Sequence, residues 1–308
     1  MHYAVLFPGQ GSQVVGMAED VISARTDLLG QAANDVLGWD LASTIRTGPQ
    51  EVLTQTDRAQ PSLYTTAYAL WEAFSAAVDR PPLAAAGHSL GEYTALAAAG
   101  VVDYWDGLTL VAARGRAMAT AAAAGPSSMA ALLGADGEQA EKIAANRREE
   151  GGSLWVANLN APGQVVVAGG IDDIEWLIGA ARDLGVRRAI KLDVAGGFHS
   201  PLMASAASAL GEALAGIEFS PGAFAVYSNV VAAPATDVAA SLSDQLTHPV
   251  RFEESIQAMR ATGIDTFVHI GPGDVTAGLV KRIARDVATH VVSTLEEASA
   301  VAGELSVQ

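Results

Sequence analysis

The chain has 308 residues, half of them hydrophobic, and a formal net charge of −16 from 34 acidic and 18 basic side chains. This acidity disfavours nucleic acids and anionic membrane surfaces as partners. Because the chain contains no cysteine, disulfides, thiolate metal sites and a cysteine nucleophile are excluded.

The N-terminal apolar run Tyr3–Phe7 predicts a first buried strand, and residues 8–13 predict a glycine-rich turn after it. No basic segment precedes this run, and Pro8 ends it too early for a secretory signal. The alanine-rich stretch 117–124 is too short and too weakly hydrophobic to span a membrane. We therefore expect a cytoplasmic protein, long enough for one large domain with a smaller one inserted.

Helical apolar spacing follows over 17–37 and again over 61–78, where Pro61 is expected to open the second helix. Gln60 stands at the start of that helix. It either caps the helix or faces a functional site, and the sequence favours neither role.

Residues 84–99 contain Gly87-His88-Ser89-Leu90-Gly91, the pattern of a nucleophile elbow. Such a sharp strand-to-helix turn exposes the serine hydroxyl and aims a helix N-terminus at it, where an oxyanion can be stabilised. The elbow is expected to turn the His88 side chain away, so we interpret His88 as structural.

Two further helices are predicted over 93–99 and 105–123, and the second carries Arg114 and Arg116. Side chains two residues apart do not share a helix face. At most one of these arginines therefore points inward.

Between residues 127 and 193 the predicted strands and helices follow one another in the order β-α-β-β-α-β, which predicts a small ferredoxin-like domain. Its predicted elements are strands 128–133, 154–159, 164–168 and 186–194 and helices 137–148 and 171–184. Residues 1–126 and 194–308 are then expected to form one discontinuous large domain.

Alternating strands and helices after residue 194 predict a helix-covered, mostly parallel sheet, so the fold class is α/β with a hydrolase-like core. The predicted elements are strands 224–229, 266–270 and 289–293 and helices 237–246, 252–261 and 275–287. His199 lies in the glycine-rich loop before a helix that runs to about residue 215, two residues ahead of Pro201. His248, His269 and His290 lie near a turn or strand ends and are interpreted as structural.

Five motifs in order resemble the malonyl-CoA:acyl carrier protein transacylase family, which includes the acyltransferase domains of polyketide and fatty-acid synthases. They are GQGSQ at 9–13, GHSLGEYTAL at 87–96, the Arg114-Gly115 pair, GFHSPLM at 197–203 and QLTHPVRF at 245–252. The resemblance spans nearly the whole chain, including the inserted domain and the late stretch HIGPGDVTAGLVKR.

The resemblance implies transfer of malonyl from malonyl-CoA to the phosphopantetheine thiol of acyl carrier protein through a seryl ester. No tightly bound cofactor and no metal are expected. By the same resemblance, Ser89 is the nucleophile and His199 the general base. The backbone N–H groups of Gln10 and Leu90 form the oxyanion hole, and the backbone carbonyl of Gln245 orients the histidine.

The resemblance also assigns the substrate pocket. Arg114 pairs with the free carboxylate of malonyl, and Phe198 resembles the aromatic residue of malonyl-selective relatives. Gln60, Met118 and Asn158 are further expected substrate-binding residues. Two departures, His248 and the Gly196-Gly197 pair, affect the expected fine substrate preference and leave the expected chemistry unchanged.

Two other classes share part of this pattern. An α/β-hydrolase or esterase has the same elbow but needs an acidic residue between serine and histidine, and the candidates Asp172, Asp173, Asp183 and Asp193 fall in the predicted inserted domain. A carrier-binding scaffold with a relic site is disfavoured because every expected catalytic position is occupied by the required residue.

Overall fold

A computed structural model describes residues 2–307, which form two β-sheets surrounded by helices. The strands are β1 Tyr3–Phe7, β2 Ala84–Gly87, β3 Ser127–Leu133, β4 Leu154–Ala161, β5 Gln164–Gly170, β6 Arg188–Lys191, β7 Ala225–Tyr227, β8 Thr266–Ile270 and β9 Ala288–Val292. Within this part of the chain, no helix is both long and apolar enough to cross a lipid bilayer.

Fifteen α-helices connect and cover these strands in the described part of the chain. They are α1 Glu19–Ala24, α2 Thr26–Leu29, α3 Gln31–Leu37, α4 Leu41–Thr47, α5 Gln50–Leu53, α6 Thr56–Ala77, α7 Gly91–Ala98, α8 Tyr104–Ala124, α9 Gly137–Glu149, α10 Ile171–Ala180, α11 Ala204–Leu214, α12 Val238–Gln245, α13 Phe252–Ala261, α14 Val275–Ile283 and α15 Leu295–Val307.

The larger sheet is wholly parallel, in the order β7-β2-β1-β8-β9. Every residue of β1 and β2 is buried, as expected for a parallel sheet covered on both faces. Alternate residues of β1 enter different cores: Val5 and Phe7 join the core that contains α6, α8 and α11, and Leu6 joins the core that contains α13 and α14. The predicted helix-covered parallel sheet is thus confirmed.

The smaller sheet is antiparallel, in the order β4-β5-β3-β6. Helices α9 and α10 pack on one face, where Leu132, Ile143 and Leu177 share a core. On the other face, Met129 and Val166 belong to the core of the larger sheet. The connectivity β3-α9-β4-β5-α10-β6 is the expected ferredoxin-like one. The division into residues 1–126 plus 194–308 and residues 127–193 stays a prediction.

Several predicted boundaries were wrong. The helix expected over 17–37 is three helices, because the backbone leaves the helical region at Arg25 and Gly30. Helix α6 begins at Thr56, so Pro61 lies inside it and does not open it. Helix α14 ends at Ile283, and β6 covers only Arg188–Lys191. Helices α4, α5 and α15 were not predicted, and α15 packs against α6.

Candidate active site

Ser89 stands at the turn from β2 to α7 with a left-handed backbone, φ +52°. Glycine is required on both sides of it. A Cβ at Gly87 would lie 1.8 Å from the carbonyl carbon of Gly91, and a Cβ at Gly91 would lie 2.2 Å from the Phe7 oxygen. The close packing of β1, β2 and α7 therefore depends on both glycines, and the predicted elbow is present.

His199 comes from the loop between β6 and α11 and also has a left-handed backbone, φ +56°. Its Nε2 lies 2.7 Å from Ser89 Oγ, and its Nδ1 lies 2.7 Å from the backbone oxygen of Gln245. Since a carbonyl oxygen can only accept, Nδ1 carries the proton. Nε2 then has a free lone pair for the serine hydroxyl, which is the arrangement of a nucleophile with its base.

Burial is the main reason why the pKa of His199 is lowered to about 3, and the positive charge of Arg114 adds to the effect. The bond to the Gln245 carbonyl acts in the opposite direction but is the weaker influence. The imidazole is therefore neutral near pH 7 and able to accept a proton.

Arg114 is 1% exposed and reaches into the site from α8. Its Nη1 donates to Gln60 Oε1 at 2.7 Å, and its Nη2 donates to Ser89 Oγ at 3.0 Å and to Gln245 Oε1 at 2.9 Å. Arg116 is exposed. The structure thus decides which of the two arginines points inward.

The guanidinium of Arg114 lacks a direct counterion. Among residues 2–307 no carboxylate forms an ion pair with it, and its buried Nε has no hydrogen-bond partner. Burial lowers the pKa of Arg114, but an arginine remains charged in proteins. A buried cation bound only to neutral groups is well suited to an anionic ligand.

A cavity of ≈ 250 Å³ lies between the two sheets and contains this site. Its lining includes seven of the residues predicted from the sequence, namely Gln10, Ser89, Arg114, Met118, Asn158, Phe198 and His199. Residues of the smaller sheet such as Met129 and Val166 form part of its wall. A ligand in this cavity would therefore contact the smaller sheet and the loops that follow β1 and β2 of the larger sheet.

Three of the expected site residues lie outside this lining. Gln60 is fully buried within α6 and contacts Arg114, while its Nε2 lies 3.3 Å from the sulfur of Met118. The capping alternative for Gln60 is therefore wrong. Gln245 contacts His199 through its backbone oxygen and Arg114 through its Oε1, and Leu90 forms the N-cap of α7.

The two N–H groups assigned to the oxyanion hole come from different loops. At the start of α7, the N–H groups of Gly91, Glu92 and Tyr93 donate to carbonyls of the preceding turn. The N–H of Leu90 has no such partner in the described part of the chain. Gln10 lies in the turn after β1 and lines the cavity. Its N–H and that of Leu90 are the donors that the sequence predicts for an oxyanion.

The position of His88 differs from the one predicted from the sequence. It lines the same cavity as Ser89, so the elbow does not turn it away from the site. Its Nε2 lies 2.7 Å from Asn160 Oδ1, and its ring packs 5.7 Å from that of Phe252. His269 is buried in β8 with both ring nitrogens in hydrogen-bond contact, to Thr276 and Gly271, as suits a structural residue.

Sequence reasoning missed two buried residues next to the Ser89–His199 pair, Glu92 and Asn229. Glu92 belongs to the GHSLGEYTAL motif but was given no role. Asn229 follows β7 and has no local signal, because it approaches Ser89 only through the pairing of β7 with β2.

A nucleophile elbow on a parallel sheet, with a serine bound to a histidine, defines a serine-dependent acyl-transfer enzyme or hydrolase. The chain belongs to the acyl transferase domain family, whose model matches residues 5–302.

Relatives match over almost the whole chain. Malonyl CoA-acyl carrier protein transacylase of Bacillus subtilis (strain 168) is 43% identical over 299 residues, which cover 95% of this chain and 94% of the relative. The protein of the same name from Escherichia coli (strain K12) is 38% identical, with 98% of each chain covered.

Solved structures agree with these matches. The malonyl CoA-acyl carrier protein transacylase of Coxiella burnetii superposes with a TM-score of 0.94 at 32% identity, covering 99% of this chain and 98% of its own. A malonyl-transacylase in complex with a type II polyketide synthase acyl-carrier protein superposes with a TM-score of 0.93 at 34% identity, covering 99% of this chain and 100% of its own.

Proposed function

We propose that this acyltransferase moves the malonyl group from malonyl-CoA to the phosphopantetheine thiol of an acyl carrier protein through an ester on Ser89. The observation that carries the proposal is the buried Arg114 guanidinium, which lies 3.0 Å from the serine oxygen and forms no ion pair with a carboxylate of residues 2–307. In a malonyl group a single methylene separates the carboxylate from the thioester carbonyl, so the carboxylate can bind this cation while the thioester lies at Ser89. The names of the relatives support this substrate.

In the first half-reaction, His199 Nε2 accepts the hydroxyl proton as Ser89 Oγ attacks the thioester carbonyl carbon. The resulting oxyanion is bound by the N–H groups of Gln10 and Leu90. When the C–S bond breaks, the coenzyme A sulfur takes the proton from His199. Malonyl then remains as an ester on Ser89, with its carboxylate on Arg114.

In the second half-reaction, the carrier thiol gives its proton to His199 and attacks the ester carbonyl. The C–O bond to Ser89 breaks, and the serine oxygen recovers the proton from His199. Proton and acyl group are both conserved, so the cycle requires no cofactor beyond its substrates. The cytoplasmic location expected from the sequence is part of the proposal.

An esterase remains the alternative enzyme class, because water can replace the carrier thiol in the same chemistry. The hydrogen bond of His199 Nδ1 favours transfer, since its acceptor is the Gln245 carbonyl and not the carboxylate that a hydrolase triad uses.

One experiment separates these classes. The purified chain is incubated with malonyl-CoA labelled in the acyl group, and the acyl-enzyme is then chased with holo carrier protein or with buffer. We expect label on the wild type and none on Ser89→Ala, which removes one hydroxyl and should keep its melting temperature. Rapid discharge by buffer would identify a hydrolase. Acylation of Ser89→Ala, or none of wild type, would reject the proposal.

A further inference from the structure

Asn229 binds the backbone on both sides of the elbow. Its Oδ1 accepts from the Ser89 N–H at 2.8 Å, and its Nδ2 donates to the Gly87 carbonyl at 2.7 Å. It is 1% exposed, and it follows β7, the neighbour of β2 in the sheet. The Asn229 amide therefore fixes the residues immediately before and after His88.

The contact matters because a non-glycine residue with φ +52° is strained and persists only where its surroundings hold it. The glycines at 87 and 91 make room for the turn, but they do not hold Ser89 in it. In contrast, the Asn229 amide binds the Ser89 N–H directly. If this bond is lost, the Ser89 backbone is held through its carbonyl oxygen alone, which accepts from the Glu92 N–H and from Gln245 Nε2, and Oγ can move away from His199.

Glu92 connects the contact between Asn229 and Ser89 to the residue that holds His199. Its Oε2 accepts from the Asn229 N–H at 3.0 Å and from Gln245 Nε2 at 2.7 Å. Gln245 in turn holds His199 through its carbonyl oxygen. A single buried carboxylate oxygen thus connects the residue that holds the serine with the residue that holds the histidine.

Glu92 acts here as a hydrogen-bond acceptor. Burial raises its pKa to about 7, although the bonds from Asn229 and Gln245 oppose the shift. Both bonds end on the same oxygen, Oε2, so a glutamine amide oxygen at that place can accept them equally. Neutralising the carboxylate can therefore leave both bonds in place, whereas removing the oxygen removes both. Gln245 Nε2 then retains its contacts to the Ser89 carbonyl and to Asn229 Oδ1.

We propose that Asn229 and Glu92 are positioning residues that fix the distance between Ser89 Oγ and His199 Nε2. Neither residue forms a hydrogen bond to either of these two reacting atoms. The inference rests on the proposed function, because it concerns the rate at which Ser89 is acylated.

The first test compares Asn229→Leu with wild type in single-turnover acylation by malonyl-CoA. We expect the acylation rate to fall about 10²-fold, as for a misplacement of roughly 1 Å. The Michaelis constant for malonyl-CoA should change less than about 3-fold, since the guanidinium of Arg114 donates to Gln60, Ser89 and Gln245 and not to Asn229 in the described part of the chain. The control Tyr104→Phe removes another buried hydrogen bond, to the Leu28 carbonyl, and should leave both values unchanged.

The second test uses Glu92→Gln and Glu92→Met. Glutamine keeps an acceptor for both bonds and should stay within about 5-fold of wild type. Methionine has a similar size and no oxygen, so its acylation rate should fall about 10²-fold. If Asn229→Leu does not fold, this pair decides the matter. Equal rates for the two Glu92 variants would overturn the proposal.

The third test combines Asn229→Leu with His199→Ala. A residue that acts by aligning serine with histidine has nothing left to align when the histidine is absent. The double variant should therefore be as active as His199→Ala alone, and multiplied losses would contradict the inference. Failure of wild type to be acylated would reject the proposed function itself, whereas normal acylation of Asn229→Leu would reject only the positioning role.

Discussion

Ser89 Oγ and His199 Nε2 lie 2.7 Å apart, and both residues have a left-handed backbone conformation that non-glycine residues rarely adopt. They are 110 positions apart in the sequence. Each is held by a hydrogen bond from another part of the chain: Ser89 by Asn229 and His199 by the Gln245 carbonyl. Strain that the surrounding structure maintains in this way is typical of functional sites.

His199→Ala should slow the acylation of Ser89 by roughly 10²–10⁴-fold, the usual effect of losing a general base. The matched control is His248→Ala, because His248 is exposed and its Nδ1 lies within hydrogen-bond distance of Thr247 Oγ1 and of the Asp244 backbone oxygen, away from Ser89. Rates are measured by rapid quench with labelled malonyl-CoA. A larger loss in the control variant would show that the wrong histidine was assigned.

The imidazole of His199 should stay neutral from pH 8 down to about pH 4, because burial lowers its pKa to about 3. In the unfolded chain a histidine takes up a proton below about pH 6.5. The buried neutral His199 therefore does not lower the free energy of unfolding above pH 6.5. As the pH falls from 6.5 towards 3, the unfolded chain binds a proton that the folded protein does not, and the free energy of unfolding decreases. Nitrogen NMR of histidine-labelled protein, assigned with His199→Ala, measures this directly. Protonation of His199 near pH 6.5 would contradict it.

Arg114→Ala should reduce malonyl transfer by about 10²–10³-fold and acetyl transfer far less, since only malonyl offers a carboxylate to the buried guanidinium. Arg116→Ala is the matched control, because Arg116 lies two residues away on the same helix and is exposed. The ratio of kcat/KM for malonyl-CoA to that for acetyl-CoA is measured for each variant. Loss of discrimination in Arg116→Ala, or equal loading of both substrates by wild type, would reject this assignment.

Phe198→Ser should allow methylmalonyl-CoA to acylate Ser89. Phe198 is 5% exposed and lines the cavity next to His199, so a smaller side chain there leaves space for an additional methyl group. Exclusion of one methyl is worth only about 1–3 kcal/mol, so we expect a preference of wild type for malonyl and no absolute barrier. Competition between the two thioesters in one reaction measures the change. An unaltered preference in Phe198→Ser would show that another residue sets it.

The proposed carrier protein should dock on one of two basic clusters at the cavity. One cluster is Arg187, Arg188 and Lys191 on and next to β6, and the other is Lys281, Arg282 and Arg285 on and after α14; all six side chains are exposed. We expect the carrier to be acidic, so an enzyme of net charge −16 needs a local positive surface to receive it.

Both clusters adjoin the cavity. Residues 192–194 after β6 line it, as do Val275 and Leu279 of α14, and Arg282 donates to Gln164 of the lining at 2.8 Å. Reversing the charges of the correct cluster should raise the Michaelis constant for the carrier and leave that for malonyl-CoA unchanged. If neither reversal does so, the carrier docks elsewhere.

The sequence by itself predicted most of the elements in their order and indicated Ser89 as the nucleophile. These features are local: alternation of strands and helices, the glycines on either side of Ser89 and the β-α-β-β-α-β pattern all follow from neighbouring residues. Alanine-rich segments without a strong hydrophobic periodicity could not be assigned in this way. Helix α15 was not recognised, because its helical conformation is stabilised by packing on α6.

Only the tertiary structure decided which side chains meet. A helical spacing rule shows that Arg114 and Arg116 face differently, but only the packing of α8 against the elbow decides that Arg114 reaches Ser89. The role of Gln60 and the links from Glu92 and Asn229 to the elbow likewise join distant parts of the chain. Such contacts arise when sheets and helices assemble in three dimensions, and no pattern among neighbouring residues encodes them.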